Sequence, residues 1–347
     1  MKLLYSFLFL AVLWSCQSET AWVQNESAWV QNGQQLVQIT NQGPAQGSTF
    51  SISYLVPRGI DYGKSIDSIL KSMDQQMSLW VENSEISRLN RGDSIFLSDD
   101  FQGVIMKSQY LSELTNGSFD ISIAPLIKAW GFSGGTRKDS INVDSLMNFV
   151  GYKGLVLDRL GDKEVKFALP KGYQLDVNAI AQGYTVDIVS NYLRNADVHN
   201  YMIEIGGEVR CKGKNIDGRK WRIGIEQPQE ERTLGQYQTI VELDTMSLAT
   251  SGNYRKFWVD ERGQRVVHTI DPETGQPIIS NLLSVSIIGN TATYADALAT
   301  SCMVLGLTKA KAMIESLPRT EGYFILGNKY GEFEVQTTSN WSQYELN

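Results

Sequence analysis

The chain has 347 residues, 42% of them hydrophobic and 20% charged, which is enough apolar material for one large domain or two intimately packed ones. Its 31 Lys and Arg are outnumbered by 38 Asp and Glu, giving a formal net charge of -7. An acidic balance disfavours nucleic acid as a partner, because phosphate backbones are gripped by a basic face.

The first fifteen residues read as an export signal, with Lys2 followed by an apolar run from Leu3 to Trp14. The run is shorter than the roughly 20 residues a membrane-spanning helix needs and fits the core of a secretory signal. It ends in Leu13-Trp-Ser-Cys16, which resembles a lipoprotein processing box with Cys16 as the lipidated first residue; a simple cleaved signal is the alternative. The expected location is the extracytoplasmic side of a bacterial membrane. Cys211 and Cys302 lack Cys or His neighbours at metal spacing, so they are expected to be buried thiols, although an exported pair can also form a disulfide.

Residues 16–45 are polar and contain a short repeat, Ala21-Trp-Val-Gln-Asn25 and Ala28-Trp-Val-Gln-Asn32. They read as a tether whose second part can lead into an edge strand. Alternation predicts a strand over Thr49–Val56, and apolar spacing predicts helices over Ile60–Trp80, Val104–Leu114 and Ile123–Trp130. Leu155–Leu157 and Val165–Phe167 look like paired short strands, and Ala179–Leu193 like a helix. The second half is richer in strands, at Tyr201–Ile205, Val209–Lys212, Trp221–Ile225, Gln238–Leu243, Ser247–Thr250, Lys256–Val259 and Leu283–Ile288. Helices over Thr293–Leu305 and Thr308–Leu317 and a strand over Gly322–Leu326 complete the pattern. Strands and helices mix without regular βαβ alternation, which favours an α+β unit of two lobes over a doubly wound sheet.

Five segments interrupt these elements with polar or glycine-rich sequence. Met77 to Asn90 holds Trp80 and Ser84, readable as a core aromatic and a helix cap. Gly117-Ser-Phe-Asp120 sets an aromatic beside a carboxylate after a glycine, which suits a stacked heterocycle or equally a turn. Leu175-Asp-Val-Asn-Ala-Ile-Ala-Gln-Gly-Tyr-Thr-Val-Asp187 places Asp176 before a helix start, where free N–H groups suit phosphate; Asp187, further along that helix, reads as a surface charge. In Ile203-Glu-Ile-Gly-Gly-Glu208 the glycines permit a bulge or a flat ligand against backbone. The last is a pair: Val267-His-Thr-Ile-Asp-Pro-Glu-Thr-Gly-Gln-Pro277 carries one of only two histidines, and Tyr294-Ala-Asp-Ala-Leu-Ala-Thr-Ser301 sets Asp296 and Thr300 one helical turn apart. A carboxylate and a hydroxyl on one face are hard oxygen donors suited to magnesium, or else a helix-start Asp and a buried Thr bonding its own backbone.

In order and together these segments resemble the ApbE family of FAD:protein FMN transferases, over about Gln46 to Leu326. The resemblance rests above all on His268-Thr-Ile-Asp-Pro-Glu-Thr-Gly275, Ala295-Asp-Ala-Leu-Ala-Thr300, Thr250-Ser-Gly252 and Ile205-Gly-Gly-Glu208. It implies an α+β fold with a core similar to the T-fold, spanning residues 46–347. It also implies an exported, often lipid-anchored enzyme that uses magnesium to move FMN from FAD to a Ser or Thr of a partner, releasing AMP; the family's usual partners are redox subunits of the Nqr and Rnf type. On that resemblance Asp296, Thr300 and the Ala179 carbonyl hold the metal. Gln46, Trp80, Ser118, Phe119, Asp120, Asp176, Gln182 and Ile270 contact FAD, and His268 is the base. The chain departs from the family's usual pattern at Gln46, where Met is common, and at Gln182, where Lys is common. Losing a cation there leaves a neutral hydrogen bond in place of a charge-assisted one. Hydrolysis of FAD to FMN and AMP, and non-catalytic flavin binding, are the alternatives.

Overall fold

The computed structural model describes residues 21–31, 34–132, 140–155, 166–228, 237–254, 257–259, 265–328 and 332–346. The processing box at Cys16 lies outside them. So does most of the short strand pair expected around 155–167, although Phe167 forms an isolated bridge with Ile95.

The expected mixture of helices and strands is present. Nine strands form one antiparallel sheet: β1 (Ala21–Gln31), β2 (Gln34–Ala45), β3 (Ser48–Pro57), β4 (Tyr201–Ile205), β5 (Glu208–Lys212), β8 (Ser247–Gly252), β11 (Leu282–Gly289), β12 (Glu321–Gly327) and β13 (Phe333–Thr337), in that spatial order. Two small antiparallel ribbons stand apart from it, β6 (Trp221–Glu226) with β7 (Tyr237–Leu243), and β9 (Phe257–Val259) with β10 (Arg265–Val267). The helices are α1 (Gly63–Met77), α2 (Glu85–Asn90), α3 (Asp99–Leu114), α4 (Ala124–Ala129), α5 (Val143–Met147), α6 (Ala181–Asn195) and α7 (Ala292–Ser316).

Residues 34–45, expected within a polar tether, are instead β2, paired with β3 from Leu36 to Ala45. Val37 and Ile39 enter the core beneath the sheet, and the buried Asn41 accepts a hydrogen bond from Tyr54 Oη at 3.0 Å. The strand looks polar because Gln38, Thr40 and Gln42 point outward, while Val37 and Ile39 share the inward face with Asn41.

Period-two alternation then decides what covers each face of the sheet. Phe50, Ile52, Ile203, Ile205, Ala249, Val285, Ile287 and Phe324 face the helix layer of α1, α6 and α7. Val209, Cys211, Leu248, Ile288, Tyr323 and Ile325 face the β6–β7 ribbon and Trp341. Full burial of each such side chain is worth roughly 1.5–3 kcal/mol. A third cluster, from α1, α2 and α3 with Phe119, Leu175, Val177 and Ile180, lies over α6 and α7 and forms the second lobe.

Helix boundaries follow local chemistry. α1 is shorter than expected: its apolar face ends at Met77, and Trp80 lies beyond it, 69% exposed. α3 begins five residues before the expected Val104, because Ser98 accepts from the Phe101 N–H and Asp99 and Asp100 fill its first turn. The two helices expected at the end of the chain are joined in α7, interrupted at Gly306 with φ 71° and ψ 164°. α7 is long and apolar enough to cross a membrane by composition, yet Ala295, Ala297, Leu298, Ala299, Cys302 and Met303 bury it inside the protein. Cys211 and Cys302 are buried free thiols, and burial raises the pKa of both.

Candidate active site

One end of the sheet gathers most of the singled-out segments. The β2–β3 turn is Gln46-Gly47, with φ of 50° and 74°; the β4–β5 turn is Gly206-Gly207, with φ of 68° and 109°. Two successive residues at positive φ suit a tight hairpin, so the two glycines of the Gly-Gly-Glu208 segment form a turn and not a bulge. The Gly206 N–H donates to the Thr49 carbonyl at 2.9 Å, bringing the turns side by side. Gln182, in the first turn of α6, lies against Gly206 so closely that a Cβ there would overlap its amide. Its Nε2 reaches the Gln46 carbonyl at 3.4 Å, and Gln46 Nε2 donates to Thr185 Oγ1 at 2.7 Å. Gln182 is thus tied to the β2–β3 turn, and the Gln46 side chain reaches back to α6 at Thr185.

α6 and α7 cross antiparallel at this end, since Gly183 meets Asp296 and Asp187 meets Ala292. Gly183 is the third residue of α6, so its N–H has no partner within the helix; it donates to Asp296 Oδ2 at 3.1 Å. A Cβ at Gly183 would stand 2.5 Å from the Ala292 carbonyl oxygen and 2.9 Å from Asp296 Cβ, so only glycine permits this approach. Asp296 is 5% exposed, and burial pushes its pKa up to about 7 against the single lowering bond from Gly183. Ala179 lies in the turn immediately before α6.

The next turn of α7 meets two further segments. Thr300 Oγ1 and Ser251 Oγ, from the Thr250-Ser-Gly252 segment, are 2.9 Å apart. Ser301 Oγ and Ser118 Oγ are 2.5 Å apart and buried. Asp296, Thr300 and Ser301 therefore touch three different segments within six residues of one helix. The sequence alone gives Gly183, Ser251 and Ser301 no role. All three lay within quoted motifs, but small residues announce no chemistry until their partners are known.

Phe119 is fully buried in the second lobe, and Asp120 is 7% exposed. Asp120 Oδ1 accepts from the Ser122 N–H at 2.8 Å and Ser122 Oγ at 2.7 Å, and Oδ2 from the Tyr152 N–H at 2.6 Å. Burial still raises its pKa. These bonds spend the carboxylate on shaping its own loop. Asp176 is tied to that loop through its N–H to the Ile121 carbonyl at 2.8 Å, and its Oδ1 accepts from the Asn178 N–H at 2.9 Å. The segment before it is irregular, and Asn90, at the end of α2, clamps it through both backbone groups of Leu175, at 2.7 and 2.8 Å.

His268 is half-buried and edge-on to Phe132, with ring centroids 6.3 Å apart. Its neighbour Thr269 donates to Asn253 Oδ1 at 2.6 Å, two residues past Ser251, which joins the histidine loop to the Thr300 side of the site. Ile270 is 3% exposed and packs with Ile123 and Leu126, while Trp130 Nε1 donates to the Gly275 carbonyl at 3.0 Å. Trp80 stands apart as an exposed aromatic; its indole takes no part in these contacts.

These observations define an α+β enzyme whose polar site sits at a crossing of two helices beside one end of an antiparallel sheet. The chain belongs to the ApbE family, whose model matches residues 46–324. It is 35% identical over 291 residues to an FAD:protein FMN transferase of Vibrio cholerae, covering 80% of this chain and 85% of the relative. It is 35% identical over 293 residues to the Haemophilus influenzae protein of the same name, covering 80% and 83%. The solved structure of flavin transferase ApbE from Vibrio cholerae superposes with a TM-score of 0.75 at 31% identity, over 89% of this chain and 99% of that one. The apo form of the Pseudomonas stutzeri flavinyl transferase ApbE gives 0.77 at 31% identity, over 92% and 97%.

Proposed function

We propose that this chain transfers FMN from FAD to a Ser or Thr hydroxyl of a partner protein, with magnesium as cofactor. The family membership and the names of its relatives support the reaction class. The observation that carries the metal reading is the buried Asp296 carboxylate, pushed up to about 7 by burial, with the Thr300 hydroxyl one turn further along α7. Among the described residues no cluster of three or more His, Cys, Asp or Glu exists. One carboxylate, one hydroxyl and the Ala179 carbonyl make a hard, all-oxygen donor set, which fits magnesium better than zinc.

When bound there, magnesium would neutralise charge on the pyrophosphate and on the departing AMP. The acceptor oxygen forms a bond to the FMN-side phosphorus while the P–O bond to the AMP side breaks. His268 takes the proton of the acceptor hydroxyl, a contribution of about 10²- to 10⁴-fold. Gly183 and Ser251 hold Asp296 and Thr300 in place. The loops of Ser118–Asp120 and Asp176, with the Gln46–Gln182 amides and Ile270, line the approach for FAD, and Trp80 supplies an exposed aromatic face. Positioning and charge matter as much as proton transfer, as in other phosphoryl transfers.

The acceptor is proposed to be a redox subunit of the Nqr or Rnf type, and the chain to be exported and lipid-anchored through Cys16. Co-expression with an acceptor carrying a Thr flavinylation motif, read by in-gel flavin fluorescence, tests the transfer. His268→Ala should retain FAD binding and lose labelling; full labelling by that variant removes His268 from the base role. With Gln46 and Gln182 where the family often has Met and Lys, a pyrophosphatase that cuts FAD with water is the alternative reading. Rapid AMP release from FAD and magnesium without any acceptor would select it.

A further inference from the structure

The α6–α7 crossing is tied at two places, and the second has no part in the chemistry above. Asp187 Oδ1 accepts from the Ala292 N–H at 3.1 Å, and Oδ2 from the Thr293 N–H at 2.9 Å and Thr293 Oγ1 at 2.5 Å. Ala292 and Thr293 are the first two residues of α7, so these N–H groups have no partner within the helix. A carboxylate at that end also faces the positive pole of the helix. The arrangement is reciprocal: Asp296 of α7 accepts from the first turn of α6, and Asp187 of α6 accepts from the first turn of α7.

Asp187 is itself held. Arg210 Nη1 lies 3.3 Å from Asp187 Oδ1 and also donates to Ser247 Oγ at 3.1 Å and the Asn290 carbonyl at 2.6 Å. Both side chains are largely buried, 16% exposed for Asp187 and 18% for Arg210. One guanidinium thus joins the strand β5, the start of β8, the β11–α7 turn and α6. β8 carries Ser251 at its far end, where it meets Thr300.

From this geometry we infer that Asp187, backed by Arg210, is a positioning residue for the metal site. By capping α7 it fixes where Asp296 and Thr300 stand along the helix axis. The bonds from Thr293 to Asp187 and from Gly183 to Asp296 lie one turn apart on both helices, so together they set the height and rotation of the turn that bears the ligands. Outer partners that orient ligands typically change metal affinity by about 10- to 100-fold when removed. The inference rests on the reading of Asp296 and Thr300 as metal ligands.

The test is magnesium titration of the purified protein by calorimetry, with the magnesium-induced rise in melting temperature as a second measure. Asp187→Ala should raise the magnesium dissociation constant by about tenfold or more, and Asp187→Asn by less, since the amide keeps one acceptor. At saturating magnesium the KM for FAD should be unchanged and kcat largely restored, a split that general loosening of the fold would not give. Thr293→Val, which removes a single bond, keeps the test valid if Asp187→Ala fails to fold, and should shift the constant about two- to fivefold, the worth of one hydrogen bond. Wild-type magnesium affinity in these variants, alongside its loss in Asp296→Asn, overturns the role of Asp187 alone. Undiminished magnesium binding in Asp296→Asn overturns the ligand reading beneath it.

Discussion

The two faces of the central sheet solve different problems. The face toward the β6–β7 ribbon is closed by apolar packing, with Trp221, Ile223, Val241, Leu243, Ile325 and Trp341 forming one continuous cluster. The face toward α6 and α7 is also apolar across most of its area, but its seam carries Asp187, Arg210, Asp296, Ser251, Thr300 and Ser301. Burying charge is costly unless it is bonded. A carboxylate held by one amide N–H is therefore poor material for stability and suitable material for gripping a cation. On the proposed function the ribbon side serves the fold alone, whereas the helix side serves both the fold and the reaction, so the two should respond separately to mutation.

The largest expected effect is at Asp296. Asp296→Ala should abolish the response to magnesium and lower flavinylation on the order of 10³-fold or more, while the metal-free protein melts no earlier than wild type. A clear fall in metal-free melting temperature would show that the carboxylate supports the fold. On the opposite face, Trp341→Ala should reverse the pattern. Its ring is 1% exposed and 5.1 Å from that of Tyr323, so truncation should cost about 3–5 kcal/mol. Activity per folded molecule should be unchanged, which denaturant melts and assays at low temperature can separate.

The smallest effect is the dependence on pH. The Asp296 pKa is pushed from 3.8 up to about 7 in the folded chain. The folded state then binds a proton that the unfolded state has released, so without metal this group's contribution to stability is full below about pH 4 and is lost as pH rises toward 7. Magnesium competes with that proton. Its affinity should weaken about tenfold per pH unit below 7 and level off above it. A flat profile between pH 5.5 and 7 would mean that the carboxylate is already ionised without the cation.

What could be read from the sequence follows the range of the forces involved. Alternation and helical spacing located β3, β4, β11 and α1 to within a few residues, because a face buried against one core writes itself into local order. β2 is obscured because its buried set includes Asn41, whose partner Tyr54 lies on the neighbouring strand β3. β13, an edge strand with two of its five residues exposed and none buried, carries no such signal. Asp296 and Thr300 could be read as a pair because one helical turn is a local spacing. Asp187 could not: its partners are backbone N–H groups 105 and 106 residues away, and a carboxylate on a helix looks like any surface charge. Gly183 was seen only as part of a motif, and the need for glycine emerges from the Ala292 carbonyl it faces.

The spacing of the two ties has a consequence for how this segment can vary. Gly183 to Asp187 and Ala292 to Asp296 are both intervals of four residues, matched across the crossing. A residue added to either interval would swing one anchor by about 100° around its helix and raise it by about 1.5 Å. Side chains between the anchors are free to be exchanged, whereas insertion or deletion would leave one carboxylate aimed at nothing. Length, more than composition, is what this part of the chain has to conserve.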